Sequence, residues 1–206
     1  MEDEEESNNQ IKDIKIILLG DTGVGKTTII NRYINNEFTE ENLVTLGSSF
    51  ATKEVKKNKT NYRLKIWDTT GQEKYHSLTS LFVKGSNIVI LVYSIDSFSS
   101  FENLNFWYNS IKEQLDGKNY ILAIVGNKKD LINDIIVTEE QGKNYANDVK
   151  GVFRLISAKE EQESINKLFD ELLDDISQIN YESITNSYVI KKPKKSVKKV
   201  KKKRWC

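Results

Sequence analysis

Gly20-Asp21-Thr22-Gly23-Val24-Gly25-Lys26-Thr27 has the order G-x-x-x-x-G-K-[ST], and it stands where the apolar run Ile14–Leu19 gives way to a segment of helical spacing. Glycines at those places let the backbone turn inward, so that successive N–H groups and the positive end of the following helix face one anion. The chemistry of such a loop is phosphate binding. Thr22, Gly23, Val24, Gly25 and Thr28 belong to its wall. Lys26 reaches the outer phosphates, and the Thr27 hydroxyl offers a hard oxygen to Mg²⁺. The bland alternative, a glycine turn capping a helix, does not require this spacing in this strand-to-helix setting.

Other candidates stand at the ends of further apolar runs. Asp68 follows Arg63–Trp67 and opens Asp68-Thr69-Thr70-Gly71-Gln72, where a carboxylate could hold Mg²⁺ through a water and the Gly71 N–H could approach a terminal phosphate. Alone, D-x-x-G is weak, because Asp and Gly are common after strands. Position strengthens it: Ile121–Val125 ends in Gly126-Asn127-Lys128-Lys129-Asp130, and Val152–Ile156 ends in Ser157-Ala158-Lys159. All of these motifs then lie at the carboxyl ends of strands, where open α/β sheets hold ligands.

The elements that must position them alternate along the chain. Ile14–Leu19, Ile88–Ser94 and Ile121–Val125 read as interior strands of a parallel sheet, covered on both faces. Phe50–Lys56 and Arg63–Trp67 alternate apolar and polar residues and read as a hairpin of edge strands; Val152–Ile156 completes a set of six. Lys26–Asn35, Phe101–Leu115, Thr138–Asp148 and Glu161–Ile179 have helical spacing, the last with Ile165, Leu168, Phe169, Leu172 and Ile176 on one stripe. The expectation is an α/β fold, a doubly wound and mostly parallel sheet with helices on both faces.

Composition bounds the rest. A chain of 206 residues has room for one domain and tails, and 38% hydrophobic residues can fill one core. A single histidine and a single cysteine exclude histidine clusters, cysteine-rich zinc sites and an intrachain disulfide. No apolar run approaches the ~18 residues of a membrane span. The start lacks a secretory signal pattern, so the body is expected to stay in the reducing cytosol or nucleus. The net charge of +1 hides opposed ends: Glu2–Glu6 is acidic, whereas Lys191–Arg204 holds nine Lys, one Arg and no acid. The expected division is an acidic N-terminus over 1–11, a domain over 12–179 and a flexible polybasic tail over 180–206.

The ordered set GDTGVGKT, Thr45, DTTGQ, NKKD and SAK resembles the Ras superfamily of small GTPases. Thr45–Phe50, Arg63–Trp67 before DTTGQ, and Leu91-Val92-Tyr93 resemble its Rab branch most. The resemblance spans roughly 12–179 and implies a P-loop NTPase fold, binding of GTP and GDP with Mg²⁺, and slow GTP hydrolysis. It assigns guanine recognition to Asn127, Lys128 and Asp130, with Ser157, Ala158 and Lys159 beside the base and the Ala158 N–H donating to guanine O6. The Asp130 carboxylate suits guanine N1–H and the 2-amino group; adenine would leave one of its oxygens unpaired. Phe38, seven residues before Thr45, matches an aromatic on the ring edge, although by itself it reads equally well as core. Thr27, Thr45 and, through water, Asp68 match the Mg²⁺ positions. Gln72 matches the residue that orients the attacking water. Thr45 and Gly71 would be tethered only while the γ-phosphate is present, so the segments near 38–50 and 69–80 would report the nucleotide.

The pattern departs from the family at Thr22 and Thr70, which add bulk beside the γ-phosphate and imply weak intrinsic hydrolysis, and at Asn42 and Ser48-Ser49. His76 reads as an exposed helix residue rather than a general base. The tail reads as a solvated segment, a nuclear or nucleic-acid patch, or an electrostatic membrane anchor, and composition does not choose. Cys206 would carry a prenyl chain, yet the C-a-a-X order and the paired-cysteine ending are both lacking. The leading expectation is a monomeric switch that cycles onto the anionic cytosolic face of an internal membrane. It would meet effector, exchange and activating proteins and regulate vesicle traffic. The alternatives are a GTP-binding module with little hydrolysis and a nuclear GTPase directed by its tail.

Overall fold

The computed structural model of the protein describes residues 11–38, 48–69, 82–115 and 119–178. Thr45, Thr70, Gly71, Gln72, His76 and Cys206, the acidic residues 2–6 and the basic tail lie outside the described residues.

The sheet has six strands: β1 (Ile11–Leu19), β2 (Ser48–Lys57), β3 (Thr60–Thr69), β4 (Ile88–Ser94), β5 (Ile121–Asn127) and β6 (Val152–Leu155). Their order is β2-β3-β1-β4-β5-β6; β2 runs antiparallel to β3, and every other neighbouring pair is parallel. The helices are α1 (Lys26–Asn35), α2 (Phe98–Glu102), α3 (Leu104–Leu115), α4 (Glu139–Asp148) and α5 (Gln162–Gln178). β1 is the pivot. It pairs with β3 from Ile11↔Asn61 to Leu18↔Asp68 on one side, and with β4 from Ile16↔Ile88 to Leu19↔Leu91 on the other. The order reverses there, which leaves a crevice at its carboxyl end.

Alternation along β1 divides the core between two faces. Ile14, Ile16 and Leu18 pack with Ile29 and Tyr33 of α1 and with Ile165, Leu168, Phe169, Leu172 and Ile176 of α5. Ile17 and Leu19 pack with Leu104, Trp107 and Ile111 of α3 and Ala146 of α4. Tyr33 and Phe169 stack at 3.8 Å between ring centroids. Each fully buried Leu or Ile contributes roughly 1.5–3 kcal/mol, so the filled faces hold the strand ends in register.

The structure corrects the sequence expectation in three places. β3 is an interior strand, although β2 is an edge. Its alternation arises because Tyr62, Leu64 and Ile66 face the core while Arg63 and Lys65 carry a surface charge ladder, with Lys65 Nζ 2.6 Å from Asp13 Oδ2 and Arg63 Nε 3.0 Å from Glu54 Oε1. The continuous helix expected over 101–115 divides at Asn103: α2 starts three residues before Phe101, with Ser97 accepting from the Ser100 N–H as N-cap. Finally, β1 begins at Ile11, inside the stretch assigned to the N-terminal tail, because Ile11 pairs with Asn61.

Candidate functional site

The end of β1 is built for close approach. Gly20 has φ +144°, and a Cβ there would stand 2.1 Å from the Val92 carbonyl oxygen of β4. Gly25 has φ +94° and begins α1, and a Cβ there would meet Asn127 Nδ2 at 2.3 Å. No side chain caps this helix start, and its first turn carries no acid. The helix therefore presents the positive end of its dipole to the crevice.

Lys26 folds back over the loop. Its ammonium donates to the Gly20 and Asp21 carbonyls at 2.8 Å each and is only 5% exposed. Burial lowers its pKa to about 8, against the opposing pull of Asp68 and Asp21. Nearby, Asp68 Oδ2 accepts from the Thr27 hydroxyl at 2.7 Å and from Ser49 Oγ at 3.5 Å. Asp68 Oδ1 is buried and has no hydrogen-bond partner. Burial raises this carboxyl above its ordinary range, and the Thr27 bond and Lys26 oppose that rise. An orphaned carboxylate oxygen beside a hydroxyl offers the hard oxygen ligands that a divalent cation takes, so the residues present fit Mg²⁺.

At the end of β5, Asn127 joins two loops. Its Nδ2 donates to the Val24 carbonyl at 2.9 Å, and its Oδ1 accepts from the Ala158 N–H at 3.1 Å. The N–H expected to meet a base oxygen is thus directed at Asn127, and the Asn127 amide braces backbone. Asp130 Oδ1 accepts from Ser157 Oγ at 2.6 Å, and Ser157 Oγ in turn accepts from the Glu160 N–H. Lys128, at φ +65°, places its ammonium 3.5 Å from Asp96 Oδ2. Phe38 lies near two cations, with Arg32 at 5.6 Å and Lys159 Nζ at 6.0 Å from its ring centroid.

The described candidates from 22–28, Asp68, Asn127–Asp130 and 157–159 thus form two linked groups along the carboxyl edge of the sheet. A family model described as the Ras family matches residues 15–178. Similar proteins include Ras-related protein RABA1b of Arabidopsis thaliana, 37% identical over 165 residues, 80% of this chain and 76% of its own. Ras-related protein Rab-17 of Homo sapiens is 39% identical over 168 residues, 80% of this chain and 79% of its own. Ras-related protein RabC of Dictyostelium discoideum is 39% identical over 165 residues, 79% and 83% of the two chains. The chain is a Rab-like small GTPase of the Ras family.

As a GTPase it is a GTP-hydrolysing enzyme, and no helix among its described residues is long and apolar enough to cross a membrane. The GTPase motifs alone did not announce three of its contacts. Asp21, a free position in the phosphate-loop pattern, is held from α3 and the residue before it: Trp107 Nε1 donates to Oδ1 at 2.8 Å and Asn103 Nδ2 to Oδ2 at 2.7 Å. Asp96 pairs with Lys128 across 32 residues of sequence. Arg32 reaches from α1 to the loop after β6. Each is a long-range meeting of residues with no spacing signature.

Proposed function

We propose that this GTPase is a GTP/GDP switch whose nucleotide lies along the carboxyl edge of the sheet, with its triphosphate on Gly20–Thr27 and its guanine between Phe38, Lys128, Asp130 and Ser157–Lys159. The observation that carries this reading is the grouping of buried Lys26 and Asp68 with half-buried Thr27 at the uncapped start of α1. Backbone N–H groups of 22–28 bind and orient the phosphates, and the Lys26 ammonium offsets their charge. Thr27 and Asp68, with Thr45, would hold Mg²⁺. When bound, that ion supplies charge neutralisation at the outer phosphates. Asp130 selects guanine by accepting from its N1–H and 2-amino groups, and the Asn127 amide holds the phosphate loop and the base loop at a set distance.

Gln72 would orient the attacking water, and Thr45 and Gly71 would contact the γ-phosphate. Effectors then read the ordered segments, exchange and activating proteins set the nucleotide state, and the setting is membrane traffic, in keeping with the Rab relatives. The basic run Lys191–Arg204, aided by a lipid on Cys206, would draw the chain to an anionic cytosolic leaflet. Single-turnover phosphate release with and without Mg²⁺, in the native chain and in Gln72→Leu, tests the switch. The expected outcome is release that needs Mg²⁺ and falls strongly in the variant while GTP stays bound. Equal release from both chains would refute it.

A further inference from the structure

Asp21 puts an acid into the loop assigned to phosphate, where a carboxylate repels the ligand and attracts the cation that should meet it. The structure ties that acid down. Trp107 Nε1 donates to Oδ1 at 2.8 Å and Asn103 Nδ2 to Oδ2 at 2.7 Å, so both oxygens are engaged from α3 and the residue before it. Trp107 is buried, which fixes the direction of its N–H. The carbonyl of the same Asp21 accepts from the Lys26 ammonium at 2.8 Å, and Gly20 O accepts from that ammonium at 2.8 Å as well. Two of its three donors are thus set on the loop backbone. The Asp21 charge is near enough to offset part of the burial cost at Lys26, yet the carboxylate gives its hydrogen bonds to Trp107 and Asn103.

We propose that Trp107 and Asn103 are positioning residues for phosphate binding, which hold the Asp21 carboxylate on the α3 side of the loop and so keep the Lys26 ammonium for the outer phosphates. The inference rests on the reading of Gly20–Thr27 as the triphosphate site. The Asp21 side chain is short and rises from the residue whose carbonyl touches the ammonium. With both donors removed, a change of rotamer brings the carboxylate to Lys26, where an unattached acid pairs with a buried ammonium. The phosphates then compete with an internal anion. This makes a distinction that a scaffold role does not: the damage comes from the Asp21 charge itself, so deleting Asp21 repairs it. The loss also falls on a diphosphate more than on a monophosphate, because GMP lacks the outer group that Lys26 reaches.

The experiment uses the full chain with Mg²⁺ and reads the GDP-to-GMP affinity ratio by competition against a fluorescent GDP. The chain carrying both Asn103→Ala and Trp107→Phe is compared with the native protein, with Asp21→Ala alone and with all three changes together. The expected ratio falls about tenfold in the double variant, the size of one charge-assisted hydrogen bond, and returns to the native value once Asp21→Ala is added. Asp21→Ala alone leaves the ratio at or above native. An unchanged ratio in the double variant overturns the proposal, and so does a lowered ratio that Asp21→Ala fails to restore. Should the double variant not fold, Asn103→Ala alone, at an exposed residue, carries the same test with a smaller fall and the same rescue. Lys26→Met separates the two layers of reasoning. If it leaves the ratio intact, the phosphate reading fails and takes the inference with it; if it lowers the ratio while the double variant does not, only the role of Trp107 and Asn103 fails.

Discussion

Asn127→Ala asks whether this residue is chiefly a ligand of the base or a brace of the fold. Its side chain is 2% exposed, and both ends of its amide are used: Nδ2 on the Val24 carbonyl, Oδ1 on the Ala158 N–H. Truncation leaves two buried backbone groups unpaired, each at roughly 1–3 kcal/mol, so the expected destabilisation is about 3 kcal/mol. For a domain of this size, about 2–4 °C per kcal/mol gives a melting midpoint lower by about 6–12 °C. The assay is thermal unfolding of nucleotide-free protein, repeated with saturating GDP. A brace shifts the midpoint in both conditions, because the broken bonds do not involve nucleotide. A midpoint within about 2 °C of the native value without nucleotide, accompanied by loss of GDP affinity, would refute the bracing argument.

Two further outcomes follow from other contacts. Trp107→Phe keeps a ring in the α3 contact but removes the donor to Asp21 Oδ1, so urea unfolding should show a loss of about 1–3 kcal/mol. In an Asp21→Ala background the same change should have a much smaller effect; additive losses would show that the pair is not coupled. Thr70 places a hydroxyl beside Gly71 and Gln72 in the sequence, and Thr70→Ala should raise single-turnover GTP hydrolysis at unchanged GTP affinity. Equal rates would remove Thr70 as the restraint.

Much of the fold was legible because burial on both faces writes itself into composition. Ile88–Ser94 is apolar throughout except at its end, and it is buried throughout. Lys26–Asn35 is a helix over the whole expected range, and the Thr138-Gln141 capping box starts α4 where the polar-to-helical change falls. The interior place of β3 was not legible, since a strand with one charged face reads alike at an edge or inside a sheet. The break at Asn103 was also hidden, because the apolar spacing of 104–115 runs back through Phe101 without interruption.

For the site, local sequence determined the phosphate loop. Strand, glycines, lysine and helix are contiguous, so backbone torsions alone bring Gly20, Gly25, Lys26 and Thr27 together. Tertiary structure decided what each of those groups touches. The partner of Asp21 is 86 residues away, Asp68 meets Thr27 across 41, and Arg32 meets Ala158 across 126. Such pairs depend on strand order and on which face each helix covers. A residue's type announces that it needs a hydrogen-bond partner, and only the packed sheet determines which one comes within reach.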